Sequence, residues 1–79
     1  MTDTARLGET VRDLLEGGRH ERLAQTLEES HAADVAATLR DLPVPEQLTL
    51  FRLLNREQAG GVLAELDDQT LLELVRALD

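Results

Sequence analysis

Leu39-Arg40-Asp41-Leu42-Pro43, Phe51-Arg52-Leu53-Leu54-Asn55, Leu63-Ala64-Glu65-Leu66-Asp67 and Val75-Arg76-Ala77-Leu78-Asp79 stand twelve residues apart. Each phrase sets a large apolar residue, two mostly polar ones, a leucine, and then a helix breaker or N-cap type. Twelve residues fit one short helix and a tight turn. Two such beats make an αα-hairpin of twenty-four residues, within the usual size of a solenoid unit. The beat extends backwards. Val11, Leu23, Val35, Ala59 and Leu71 form one column, interrupted by Gln47, and Leu15, Leu27, Leu39, Phe51, Leu63 and Val75 form a second without a break. Columns of this kind are what stacked helices need, because each unit buries its apolar stripe only against its neighbours.

Composition agrees. Phe51 is the only aromatic residue, so the core must come from Leu, Val and Ala. Leu, Ala, Glu and Arg dominate and are strong helix formers. At 79 residues the expectation is one small domain, 1–79, with a marginal core.

The helices are expected in six segments. The first covers Thr4 to Glu16, with Thr2 or Asp3 as cap, and ends at Gly17-Gly18, where glycine accepts the left-handed conformation. The second, the most polar, runs from about Arg19 to Glu29 on Leu23 and Leu27. Ser30 is the N-cap candidate for the third, Ala32 to Asp41, with Asp34 near its positive end. Pro43 stops helix at Leu42, and Pro45 suits the first position of the fourth, Pro45 to Leu54, the most apolar of the set. Asn55 and Gln58 form a capping-box pair for the fifth, Arg56 to Leu66. Asp67 or Asp68 caps the sixth, in which Leu71, Leu74, Val75 and Leu78 form a stripe and Leu72 lies off it. A terminal repeat normally carries a polar outer face. This apolar end predicts a fragment of a longer solenoid, or pairing through that edge.

The chain carries 16 acidic and 8 basic residues, a net charge of −8. That argues against nucleic acid, whose binding rests on Lys and Arg neutralising phosphates, and against an anionic membrane surface. It suits divalent cations or a basic protein partner; solubility alone also accounts for it. With no Cys there is neither disulfide nor thiolate chemistry. No apolar run approaches the roughly 18 residues that span a bilayer, and Met1 to Glu9 is too polar for a signal peptide.

Catalytic candidates are poor. The only Ser, Ser30, adjoins His31 but lacks an orienting third group. His31 and Asp34 share a helix face and make at most half of a zinc site, with His20 on another segment. The carboxylates Glu28-Glu29 and Asp67-Asp68, with Glu57 and Glu65 nearby, are candidates for Mg²⁺, which takes oxygen ligands and keeps waters; N-capping explains Asp67-Asp68 better. Gly60-Gly61 inside the fifth helix is either tolerated or a close-packing device, and it is no phosphate loop. No catalytic or cofactor residue is assigned, and metal ligands stay unknown.

Glu28-Glu29-Ser30-His31-Ala32-Ala33-Asp34-Val35-Ala36, the phrases at Leu39, Leu50-Phe51-Arg52-Leu53-Leu54, and Gln58-Ala59-Gly60-Gly61-Val62-Leu63-Ala64-Glu65-Leu66 resemble the N-terminal cytosolic domain of MgtE-type magnesium transporters over about Leu23 to Asp79. The resemblance implies an all-α, right-handed superhelix of short α-hairpins. It implies a non-enzymatic regulatory domain beside a pair of CBS domains, on the cytosolic side of a transmembrane channel domain, where Mg²⁺ bridging acidic faces favours the closed pore. A related superhelix in the middle domain of the flagellar motor switch protein FliG supports an alternative, a stand-alone scaffold binding a protein partner, or a second copy, through Leu71, Leu72, Leu74, Val75 and Leu78. This chain departs from the family pattern in three places. His31-Ala32 stands where the family often has His-Pro. An acidic Mg²⁺ contact of the fifth helix falls at Gly61. The remaining N-domain acidic ligands fall in helices past Asp79.

Overall fold

The computed structural model describes residues 4–78, with side chains from residue 6 onward. The proposed caps Thr2 and Asp3, and Asp79, lie outside the described residues. Among those described there are six helices and no strand: α1 (Thr4–Glu16), α2 (His20–Glu28), α3 (Ala32–Arg40), α4 (Val44–Leu53), α5 (Arg56–Glu65) and α6 (Asp68–Leu78).

The helices stack in alternation. α1, α3 and α5 pack in sequence along one layer, and α2, α4 and α6 along the other, with α1 on α2 and α3 on α4 joining the layers. Each helix therefore meets the helix two places further on, so the packing unit is the twenty-four-residue hairpin rather than the single twelve-residue beat.

The two columns read from sequence both turn inward at first. Val11, Leu23, Val35, Leu27 and Leu39 are almost fully buried. The second column starts half-buried at Leu15 and, past buried Leu27 and Leu39, drifts outward through half-buried Phe51 and Leu63 to Val75, which is 52% exposed. The most consistently buried column is a third: Leu14, Thr38, Leu50, Val62 and Leu74 are buried and Thr26 half-buried. Two threonines hide it from an apolar-residue count. Thr26 satisfies its hydroxyl by donating to the Arg22 carbonyl at 3.0 Å.

Helix ends follow local chemistry. Gly18 has φ +68°, the Gly18 amide donates to the Leu15 carbonyl at 3.2 Å and the Arg19 amide to the Leu14 carbonyl at 2.9 Å. That pair is a Schellman motif with glycine in the left-handed position. The Asn55 side chain accepts from the Gln58 amide at 2.8 Å while the Asn55 amide donates to Gln58 Oε1 at 3.2 Å, closing the expected capping box. Asp67, not Asp68, caps α6: its Oδ2 accepts from the Thr70 amide at 3.3 Å.

Two expected ends are corrected. Ser30 does not cap α3; its hydroxyl turns back to donate to the Thr26 carbonyl at 2.8 Å, serving the end of α2. The N-cap of α3 is His31, extended at φ −75° and ψ 146°, without a side-chain cap bond. Pro45 stands at the second helical position, because α4 begins at Val44 behind the N-cap Pro43. Both positions lie within the turn whose amides lack intrahelical partners, so the ring is accommodated at either.

Candidate functional site

Two glutamines tie the layers together. Gln47 interrupts the first apolar column, yet it is only 3% exposed. Its amide donates from Nε2 to the Leu39 carbonyl at 2.9 Å, and Gln58 Nε2 donates to the Leu27 carbonyl at 2.9 Å. Leu27 and Leu39 are one beat apart, and both carbonyls end helices. The repeat thus places two equivalent C-terminal carbonyls where a side-chain amide from a later helix can reach them.

Gln58 also borders a groove of about 430 Å³ with Glu28, Ala32, Asn55, Glu57 and Gly61. This is where α5 crosses the start of α3. A Cβ on Gly61 would lie 3.3 Å from the Ala32 Cβ, whereas one on Gly60 would meet nothing within 4 Å. Gly61 is therefore the close-packing glycine of the pair and Gly60 is not. The acidic side chain that the resemblance leads one to seek at Gly61 is replaced by a helix–helix contact. Glu28 and Glu57 remain as the carboxylates on the groove.

A second groove, of about 540 Å³, lies between α1 and the end of α3, lined by Gly8, Glu9, Arg12, Asp13, Thr38, Asp41 and Leu42. Thr38 Oγ1 and Gln47 Oε1 are buried without a hydrogen-bond partner. The sequence drew no attention to this groove, whose charges come from residues spaced as solvated helix faces.

The remaining candidates stay apart. No group of three or more His, Asp or Glu side chains among the described residues is placed to hold a metal ion. His20 and His31 are both exposed, on different segments. Glu29, Glu57, Glu65 and Asp68 are exposed. The Ser30 hydroxyl is engaged with a backbone carbonyl rather than with an imidazole. Asp67 has its carboxyl held below the ordinary aspartate range, first by the hydrogen bond from the Thr70 side chain; desolvation opposes it, and backbone hydrogen bonds and the charge of Arg40 add smaller lowering effects. That is the signature of a helix cap, and it needs no catalytic role.

The sixth helix splits its apolar residues. Leu74 is fully buried and Leu71 half-buried against the core, while Leu72, Val75 and Leu78 are 50%, 52% and 47% exposed. The stripe expected as Leu71, Leu74, Val75 and Leu78 is thus two surfaces, one facing α4 and one uncovered.

The described residues form an acidic stack of short helical hairpins, the architecture of helical-repeat domains. The family model described as the MgtE intracellular N domain matches residues 30–79, well over half of the chain, and the chain belongs to that family. The match takes in α3 to α6 and begins at the Ser30 turn. No curated protein and no solved structure matches the chain. No helix among the described residues is long and apolar enough to cross a membrane.

Proposed function

We propose that the chain is a non-enzymatic regulatory domain, one unit over 1–79, that contributes to Mg²⁺-dependent gating of a magnesium transporter. It would act on the cytosolic side against CBS domains and a transmembrane channel domain. The observation that carries this reading is the family match over residues 30–79. The net charge of −8 supports it physically, since divalent cations screen acidic surfaces that otherwise repel a neighbouring acidic domain. Glu28 and Glu57, both lining the groove beside Gly61, support the reading as carboxylates that such a cation would share with a partner; a hard cation that keeps its waters needs only one or two of them.

The test is a Mg²⁺ titration by NMR, with and without a CBS-domain pair, at fixed ionic strength. Amide shifts at acidic residues at millimolar Mg²⁺, enhanced by the partner, support the ion-linked reading. Weak shifts spread evenly over the chain, identical with Na⁺, overturn it.

The half-exposed Leu72, Val75 and Leu78 favour a second reading, a stand-alone helical scaffold that binds a protein through the α6 edge. Under it, Mg²⁺ leaves the chain unchanged and partner binding depends on that edge.

A further inference from the structure

We propose that Gln58 is a positioning residue for a divalent cation: its side-chain bond to the Leu27 carbonyl holds Glu28 and Glu57 on one groove, where such an ion is shared. This deepens the ion-linked reading and rests on it.

Two hydrogen bonds meet on the Gln58 side chain. Its Oε1 accepts from the Asn55 amide at 3.2 Å, which closes the cap of α5. Its Nε2 donates to the Leu27 carbonyl at 2.9 Å, which fastens that cap to the end of α2. Glu57 precedes Gln58 in the chain, and Glu28 follows Leu27. The bond therefore ties together the two segments whose adjoining residues are the carboxylates of the groove. α2 and α5 are not principal packing partners, since α5 is seated on α3. Gly61 against Ala32 sets how closely α5 approaches the start of α3. Among the described residues, the Gln58 bond is the hydrogen bond that joins α5 to the last turn of α2, the turn that carries Glu28.

The equivalent bond elsewhere in the stack supplies a comparison. Gln47 donates to the Leu39 carbonyl, and the residues that flank this pair in the same way are Glu46 and Arg40, of opposite charge. At Gln58 both flanking residues are acidic, so the same device gathers a pair that is left doubly negative. Glu28 and Glu57 are exposed, and their oxygens suit a hard cation that keeps most of its waters. An ion shared between two helices binds better when both are already held in place, because less freedom is lost on binding. Linkage runs in both directions: whatever affinity the bond adds for the ion, the ion returns as strength to the bond.

The experiment titrates the full chain with Mg²⁺ at fixed ionic strength and follows the side-chain carboxyl ¹³C shifts of Glu28 and Glu57. Gln58→Met keeps the length of the side chain and removes the bond. It should weaken Mg²⁺ binding about fivefold or more. In the Glu28→Gln background, which leaves one groove carboxylate, the same change should alter the affinity, read at Glu57, by less than about twofold. A merely structural loss would weaken both backgrounds alike. A second measurement needs no change at Gln58: Mg²⁺ should slow hydrogen exchange of the Gln58 side-chain amide in the parent and leave it unchanged in Glu28→Gln. Glu28 is exposed, so circular dichroism should show that variant folded as the parent. Mg²⁺ binding that is indifferent to Gln58→Met, equal losses in both backgrounds, or a Gln58 amide that ignores Mg²⁺ overturns the proposal and leaves the ion-linked reading standing. No Mg²⁺ shift at Glu28 or Glu57 in the parent overturns both at this groove.

Discussion

Thr38 and Gln47 show how a repeat tolerates polar atoms inside it. Thr38 is 3% exposed with an unpartnered hydroxyl, and a buried unmatched donor or acceptor costs about 1–3 kcal/mol. Thr38→Val keeps the shape and removes that atom. It is expected to stabilise the chain by about 1 kcal/mol in urea unfolding. Gln47→Met also keeps the length and removes an orphan oxygen. Its lost partner, the Leu39 carbonyl, still accepts from the Leu42 amide at 3.1 Å, so the change should be close to neutral. Gln47→Ala instead opens a cavity and should cost about 2 kcal/mol or more. Asp67 gives a pH signature. Its folded pKa is depressed, so its contribution is full above the unfolded value and is lost as pH falls through the folded one. The melting temperature of Asp67→Ala should lie below the parent at pH 7, and the gap should close as pH falls below about 4. These residues were poorly legible beforehand. Gln47 read as a break in a column, and the column through Thr38 went unseen, because a threonine reveals its side only once the helix neighbours are known.

At the scale of the element, helix placement followed closely from the letters. The six expected segments agree with the observed ones to within about a residue at each end, the scatter that fraying alone produces. Capping was legible where two residues had to agree, as at Asn55 and Gln58, and misleading where one serine stood alone. Ser30 had two helix ends within reach and served the earlier one. α5 carries the sharpest element-scale prediction. Gly60 is exposed, with open space where a methyl group would stand, so Gly60→Ala should stabilise by about 1 kcal/mol, the difference between the two residues in a helix interior. Gly61→Ala has the same propensity gain but meets the Ala32 Cβ at 3.3 Å. It should gain less than Gly60→Ala in parallel chemical denaturation; equal gains would show that α3 and α5 do not need their close approach. In the sequence Gly60-Gly61 stands as a pair, and only the helix rotation separates them.

For the whole molecule, charge and stacking pull in different directions. Sixteen acidic residues against eight basic ones repel within a small body, and self-repulsion destabilises a compact state. Raising NaCl from low ionic strength should therefore raise the melting temperature, most steeply below about 0.1 M, where the screening length exceeds about 10 Å. The family and the hairpin architecture were legible in the twelve-residue beat, because periodic burial is a property of the chain as a whole. The grooves were not, since Glu28 and Glu57, or Glu9 and Asp41, come together only through packing.

The alternation of layers has a kinetic consequence. The principal contacts all join helices one or two places apart in the chain. Such low contact order predicts rapid folding, without long loops to close first. It also makes protection graded rather than uniform. α3 is gripped by α1, α4 and α5, whereas the main hold on α6 is α4. Native-state hydrogen exchange should thus be slowest through Val35 to Leu39 and fastest in α6, the helix free to open while the rest of the stack stays closed.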